Sequence, residues 1–451
     1  MATLDSSIVN IALPTLTDEL NTNLAQAKWV VIVYYLIITC LLLPFGRLSD
    51  QIGRKKIFTL GFLIFTTGSI FCALSVSLLN LIVSRVIQAV GASMLMANGP
   101  AIITYSFPAK ERGKALGTLA MVVSAGLISG PSIGGLFISE LGWRSIFLVN
   151  VPFGLAGMYL TFQFITEDSH HVSHIKKAFD WAGAIIQSLI IVIVIFISDP
   201  PNISISGSNP IIIPQWLLVC LLTVLIVIFH KIEKQIQYPL FDFSLIRNKT
   251  YISGNIASLL IFISYSSIAI LMPFFLEEVL YLSTKNAGLY MTLIPISIFI
   301  VAPISGRISD KIGSQELCFL GALVSAVVFF IMSGAIGEGL HSEIKGYFLS
   351  ALLCLTGVAL GLFQSPNNNA IMSSVPRNKL GAASALLATI RNLGLVIGTG
   401  IATSLYTNEL ERGGSHTESI HHAYIVAGVF SIAAMLVSLN KQKGPHWKEK
   451  E

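Results

Sequence analysis

Three ionisable side chains stand in stretches otherwise too apolar to hold charge. Asp5 lies in the first hydrophobic stretch, Arg85 in the fourth and Arg391 in the thirteenth. Charge at bilayer depth is costly, so such residues face a water-filled cavity, a partner or a cargo. Counted from the end of the first stretch near Leu16, Asp5 lies about 16 Å deep at 1.5 Å per residue. Arg85 lies about 10 Å deep in its own stretch, with Gln88 one turn away on the same helical face. Burial and a neighbouring cation act in opposite directions on a carboxyl's affinity for a proton, so the balance can fall near neutrality. Asp5 is therefore read as a proton carrier whose single charge proton and cationic cargo compete for. The alternative is an ion pair that ties the first helix to the fourth. For Arg391, which has no evident acidic partner, contact with an anionic or polar cargo and structural hydrogen bonding are both open.

Other constellations carry less. Gly130-Pro131-Ser132-Ile133-Gly134 matches G-x-S-x-G literally, but a hydrolase elbow needs a strand before it and a His/Asp pair beside it. His170, His171 and His174 form a loop cluster without a second ligand group, which reads as solvated rather than metal-binding. With no H-E-x-x-H and no usable triad, neither an enzyme nor a cofactor is expected.

The elements that position these residues are membrane spans. Of 451 residues, 54% are hydrophobic and 11% charged, with a mean hydropathy of +0.77. Soluble domains carry about 25% charged residues, which excludes an ordinary cytosolic enzyme. The net charge is +5, and the basic residues lie between apolar stretches, so no nucleic-acid footprint is present. All five cysteines fall inside apolar runs without a C-x-x-C pair and read as packing thiols. Fourteen apolar stretches are expected to be spanning helices: 1–16, 28–45, 57–77, 79–104, 115–137, 146–164, 181–198, 216–230, 251–274, 287–304, 317–336, 346–365, 381–405 and 423–439. The first is short, so Met1 is expected not to be the biological start, and Met1–Leu4 offers no secretory leader. With both termini on one side, the loops facing that side hold 21 of the 28 Lys and Arg, the opposite loops five, and Arg85 and Arg391 lie inside spans. That asymmetry predicts cytoplasmic termini in a multi-pass cell-membrane protein.

One octapeptide occurs twice. Gly46-Arg47-Leu48-Ser49-Asp50-Gln51-Ile52-Gly53 returns as Gly306-Arg307-Ile308-Ser309-Asp310-Lys311-Ile312-Gly313. Both copies read as short, charged loops between apolar stretches, and the duplication predicts two repeated halves. The expected organisation is a six-helix bundle over 1–164, linkers with an inserted hairpin over 165–250, a second six-helix bundle over 251–440, and a tail over 441–451. Asp50 and Arg54, and more weakly Asp310, are expected to make charge contacts that close the cytoplasmic side. The second copy continues as Ser314-Gln315-Glu316 where the first has Arg54-Lys55-Lys56.

In the fifth stretch Gly126, Gly130 and Gly134 recur at four-residue spacing, making a ridge against which another backbone can lie. Pro131 removes one helical hydrogen bond and permits a bend. These residues, with Gly46, are expected to belong to the conformational gate. Asn255, Tyr265, Gln364, Asn367 and Asn368 supply polar groups at depth, and Pro273, Pro295, Pro303 and Pro366 punctuate their helices. Tyr34, Tyr35, Phe262, Met272, Tyr290 and Met291 are expected to line an apolar cavity for flat, greasy cations, with packing as the alternative for each.

Taken together, these motifs resemble the fourteen-helix drug:proton antiporter branch of the major facilitator superfamily, over essentially the whole chain. Leu4-Asp5 and Ile8 through Pro14 resemble its helix-one signature. Gly46 through Lys56 resembles the cytoplasmic motif, and Arg85 with Gln88 and Gly91 resembles the proton-coupling motif of helix four, with Ala89 where glycine is usual. Gly126 through Gly135 resembles the antiporter motif of helix five, and Trp143-Arg144, Phe147 and Asn150-Val151-Pro152 continue the pattern. The resemblance implies a major facilitator fold and export of amphipathic, often cationic drugs and dyes. It also implies a proton gradient as the driving force and a monomer as the working unit. The second half has no deep acidic residue, Glu277 and Glu278 lying at a helix end, which weighs against dicationic cargo and more than one proton per cycle. A symporter or uniporter of the same fold is the alternative.

Overall fold

A computed structural model describes residues 1–106, 112–165, 180–198, 214–235, 248–337, 342–375 and 380–439. His170, His171, His174 and the 441–451 tail lie outside them, as do the side chains of Asp50 and Asp310. Among the described residues there is no strand, and fourteen long helices match the fourteen apolar stretches in order. They are α1 (Ala2–Glu19), α2 (Trp29–Ile52), α3 (Arg54–Ala73), α4 (Leu78–Ser106), α5 (Arg112–Leu141), α6 (Asn150–Phe164), α7 (Trp181–Ser198) and α8 (Gln215–Gln235). After the hairpin α7–α8 come α9 (Lys249–Phe274), α10 (Thr284–Ile312), α11 (Ser314–Gly337), α12 (Ser342–Ser373), α13 (Leu380–Glu411) and α14 (His416–Leu439). Eleven are long and apolar enough to cross a membrane, and α7 is apolar but shorter over Trp181–Ile197.

The octapeptides are not loops. Each forms the last two turns of a helix, α2 or α10, and only its final glycine leaves the helix, Gly53 at φ +111° and Gly313 at φ +103°. Nothing between the two glycines forbids helix, and a charged surface turn costs nothing where water reaches it. The positive φ, which glycine adopts without a Cβ clash, turns the chain directly into α3 or α11. Equivalent bonds recur in the two copies: Ser49 Oγ donates to the Gly46 carbonyl at 2.7 Å and Ser309 Oγ to the Gly306 carbonyl at 2.8 Å.

The octapeptides mark one end of the bundle, and the end where α1 finishes is the far end. At the far end a single buried core draws on both halves, joining Ile8, Leu13 and Phe147 to Leu271, Met291, Phe329 and Tyr424. Towards the octapeptide end the cores are separate. One gathers Tyr34, Leu42, Phe65 and Leu95 of the first half, with Ala388 at its edge; another gathers Ile261, Cys318 and Phe363 of the second. The halves therefore share one core at the far end and keep separate cores towards the other. α7 lies along the flank, where Ile191 and Ile195 pack with Ile32, Leu36 and Cys40 of α2 and Val396 of α13.

The far-end junction depends on missing side chains. Gly126, Gly130 and Gly134 of α5 face α1, where a Cβ would meet Thr3, Ser7, Ile8 or Ile11. Gly135 faces α10 instead, with the Thr284 carbonyl oxygen 2.6 Å from a Cβ built there. A Cβ on Gly288 would overlap the carbonyl oxygen of Pro131, and Ser132 Oγ hydrogen-bonds Thr292 Oγ1 across the same seam. Backbone cannot rotate aside as a side-chain tip can. Gly288→Val is therefore expected to part the far ends of α5 and α10 by several ångströms. Spin labels on those two ends should report a longer mean distance; an unchanged distance would contradict this account of the seam.

Candidate functional site

Asp5, Arg85 and Gln88 come together in one network enclosed by the first six helices. α1 presents Asp5 towards α4 because its other flank lies on the α5 glycine ridge. α4 in turn is pressed onto α3 at Gly68 and Gly91, where a Cβ would strike Gln88 or Phe65 backbone. Arg85 Nη1 donates to Asp5 Oδ2 at 2.5 Å and to Gln88 Oε1 at 2.6 Å, and its Nε donates to the Val30 carbonyl at 3.1 Å. The other carboxylate oxygen accepts from Gln88 Nε2 and from Asn150 Nδ2, both at 2.8 Å, while Gln88 Nε2 also reaches Ser69 Oγ. Three donors thus converge on the carboxylate. None of Asp5, Arg85, Gln88 and Asn150 is more than 1% exposed.

The paired tyrosines part company here. Tyr34 belongs to the network: the Arg85 guanidinium carbon lies 3.9 Å above its ring centre, and its hydroxyl donates to the Ala2 carbonyl at 3.1 Å. Neighbours on a helix differ by about 100°, so Tyr35 points the other way. It packs at the edge of the cluster that Ile32, Leu36 and Cys40 form with Val396 of α13. Tyr265 packs edge-on against Phe262, centroids 6.4 Å apart, and is half-buried, as are Gln364, Asn368 and Arg391. Tyr35 thus faces α13, while Tyr265 lines a small cavity inside the second half with Ile261, Phe329 and Leu360.

The remaining expected residues are dispersed. Asn255 is buried and donates to the Tyr251 carbonyl, and Asn367 donates to the Gly254 carbonyl. Met272 and Met291 are far-end core. Gly46 has open space around it, and Arg54 starts α3 beside Lys55, whose Nζ donates to the Phe162 carbonyl of α6. Two contributors escaped the sequence reading. Asn150 stood in view only as part of the pattern Asn150-Val151-Pro152, and Gly288 carried no signal beyond being a glycine in a spanning stretch. Among the described residues no group of His, Cys, Asp and Glu could hold a metal ion.

The enclosure predicts strong coupling between Asp5 and Arg85. Removing one partner leaves the other charge buried and unpaired, which costs about 3–5 kcal/mol. Arg85→Gln should lower thermal stability in detergent sharply, and Asp5→Asn should restore much of the loss in the double variant. Additive losses in that cycle would mean that the pair is not interacting as described.

Comparison with known proteins agrees with the architecture. The sequence pattern of the Major Facilitator Superfamily matches residues 1–399, and again 254–451. The riboflavin transporter RibZ of Clostridioides difficile (strain 630) is 36% identical over 95% of this chain and 90% of its own length. The multidrug export protein EmrB of Escherichia coli (strain K12) is 29% identical over 95% of this chain and 80% of its own. The multidrug resistance protein Stp of Mycobacterium tuberculosis (strain CDC 1551 / Oshkosh) is 28% identical over 90% and 73%. Among solved structures, a bacterial homologue of the lysosomal transporter Spinster, in an inward-facing and occupied conformation, superposes with a TM-score of 0.68. It shares 15% identity over 97% of this chain and 93% of that one, a likeness of fold alone. The protein belongs to the major facilitator superfamily: it is a multi-pass membrane transporter and not an enzyme.

Proposed function

We propose that the protein is a proton-coupled exporter of amphipathic aromatic compounds, drugs and dyes among them, working as a monomer by alternating access. Asp5 is its proton site, and residues 1–164 and 251–440 are the two bodies that rock. The octapeptide end is taken as cytoplasmic on the Lys and Arg asymmetry, so the core shared at the far end suits an inward-facing conformation. The observation that carries the reading is the placement of α1. One flank holds Asp5 in the Arg85 network, the other lies on the α5 ridge, and its far end joins the core shared by both halves.

That placement changes the coupling expected from sequence. A carboxylate open to the central cavity lets proton and cationic cargo compete for one charge. Here Asp5 is sealed in and already neutralised by Arg85, so the coupling is positional. A proton on Asp5 weakens its hold on Arg85, Gln88 and Asn150 and frees α1 to shift against the seam. Each proton entering down 100 mV supplies about 2.3 kcal/mol, enough for roughly a fiftyfold gradient of neutral cargo. The names of EmrB and Stp support drugs as cargo.

A second reading has an observation of its own. The relative at 36% identity is named a riboflavin transporter, which favours a flat heteroaromatic nutrient moved by a symporter or uniporter. Proteoliposomes with an imposed pH gradient distinguish the two. Export predicts accumulation of dye in the acidic compartment, abolished in Asp5→Asn while that variant still inserts and unfolds cooperatively. Proton release evoked by cargo that survives Asp5→Asn would refute the proton-site assignment.

A further inference from the structure

One carboxyl at the far end has no part in the Asp5 network. α9 ends at Phe274 and runs into a single π-helical turn, Phe275–Val279, in which the Leu280 amide donates to the Phe275 carbonyl at 3.0 Å. Turns of this kind are rare and are found mostly at functional sites. Tyr281 beyond it takes a left-handed φ of +52°, and Thr284 opens α10. Glu277 stands in the π-turn, half-buried. Its Oε2 accepts from Thr284 Oγ1 at 3.1 Å, while Oε1 is buried with no hydrogen-bond partner among the described residues.

Thr284 belongs to the seam itself. Its carbonyl oxygen lies 2.6 Å from a Cβ built on Gly135 of α5, with Lys285 and Gly288 of the same helix end close behind. One residue therefore bonds the outer end of α9 through its side chain and meets α5 through its backbone. The charge on Glu277 is under opposing influences. The Thr284 hydroxyl and the N-terminus of α10 favour the carboxylate; the burial of Oε1 and two further acids, Glu278 on the same turn and Asp18 at the end of α1, favour the protonated form. Of the other groups there, Lys285 of α10 is exposed, and Tyr406 of α13 and His416 of α14 bond each other at 2.6 Å. A hydrogen bond to a carboxylate is about twice as strong as one between neutral groups, so a proton on Glu277 loosens its hold on Thr284.

We infer that Glu277 is a proton-operated latch on the far-end seam: ionised, it holds the first turn of α10 against Gly135; protonated, it lets that turn part from α5. This rests on the alternating-access reading above and gives it an outer gate, at which acid on the far side opens the end of the bundle that Asp5 does not touch. Two acids then act on α5 from different faces, Asp5 through α1 and Glu277 through α10.

Pulsed electron spin resonance between labels on the far ends of α5 and α10, with the protein in nanodiscs, reads the seam directly. Between about pH 8 and about pH 5, a span that brackets a carboxyl shifted towards neutrality, the long-distance population of the wild type should at least double. Glu277→Gln keeps the size and loses the charge, and Thr284→Val removes the donor; each should show the same distances at both ends of the titration. The valine variant carries the test if the glutamine variant does not fold. A wild-type seam that ignores pH overturns the inference, as does a shift that persists in either folded variant. Asp5→Asn should keep the shift, and a shift absent there assigns the titration to Asp5 and overturns the latch. Proton-driven transport that survives Asp5→Asn, with the shift still dependent on Glu277, would count against the proton-site reading alone and leave the latch standing.

Discussion

The hold of Arg85 on Asp5 is the interaction on which the rest of the molecule depends. A buried ion pair is not in itself a source of stability, because desolvating two charges offsets most of their attraction. This one persists because each partner is saturated: the carboxylate by Arg85, Gln88 and Asn150, the guanidinium by Val30, Gln88 and the Tyr34 ring. Four helices are thereby tied to one point, α1 through Asp5, α2 through Tyr34 and Val30, α4 through Arg85 and Gln88, and α6 through Asn150. Changing the charge at that point alters the terms on which α1 packs with all three others.

The opposite flank of α1 is held by shape rather than charge. Gly130 and Gly134 leave no room for a side chain between α5 and α1, with Gly126 a close fit, and Gly135 and Gly288 leave none between α5 and α10. Packed surfaces of this kind have few intermediate positions, so a small displacement of α1 is resolved by parting the seam rather than by gradual deformation. In the proposed coupling, an electrostatic contact on one side and a steric one on the other are what turn protonation into movement of a single helix.

Much of this was legible in the residues. Fourteen apolar stretches give fourteen helices, because hydrocarbon leaves the backbone no other partner than itself. Asp5 and Arg85 announced each other as opposite charges whose difference in depth a long arginine side chain can span. What the sequence concealed was direction. Tyr34 and Tyr35 are adjacent and chemically identical, yet one completes the charge network and the other faces the opposite half. The octapeptides looked like loops because glycine and charge are loop signals; only the last glycine of each has left-handed backbone, and the remaining residues continue a helix. Asn150 and Gly288 were hidden because an amide supporting a carboxylate, or a hydrogen in place of a methyl, has no periodicity to betray it.

The hairpin bears on all this from the side. α7 packs through Ile191 and Ile195 against α2 and α13 together, so it behaves as a gasket laid over one of the two flanks where the halves face the bilayer. On the flank bounded by α5 and α10, glycine backbones rather than isoleucine side chains form the closure. A transporter built this way is one-sided in the plane of the membrane as well as across it.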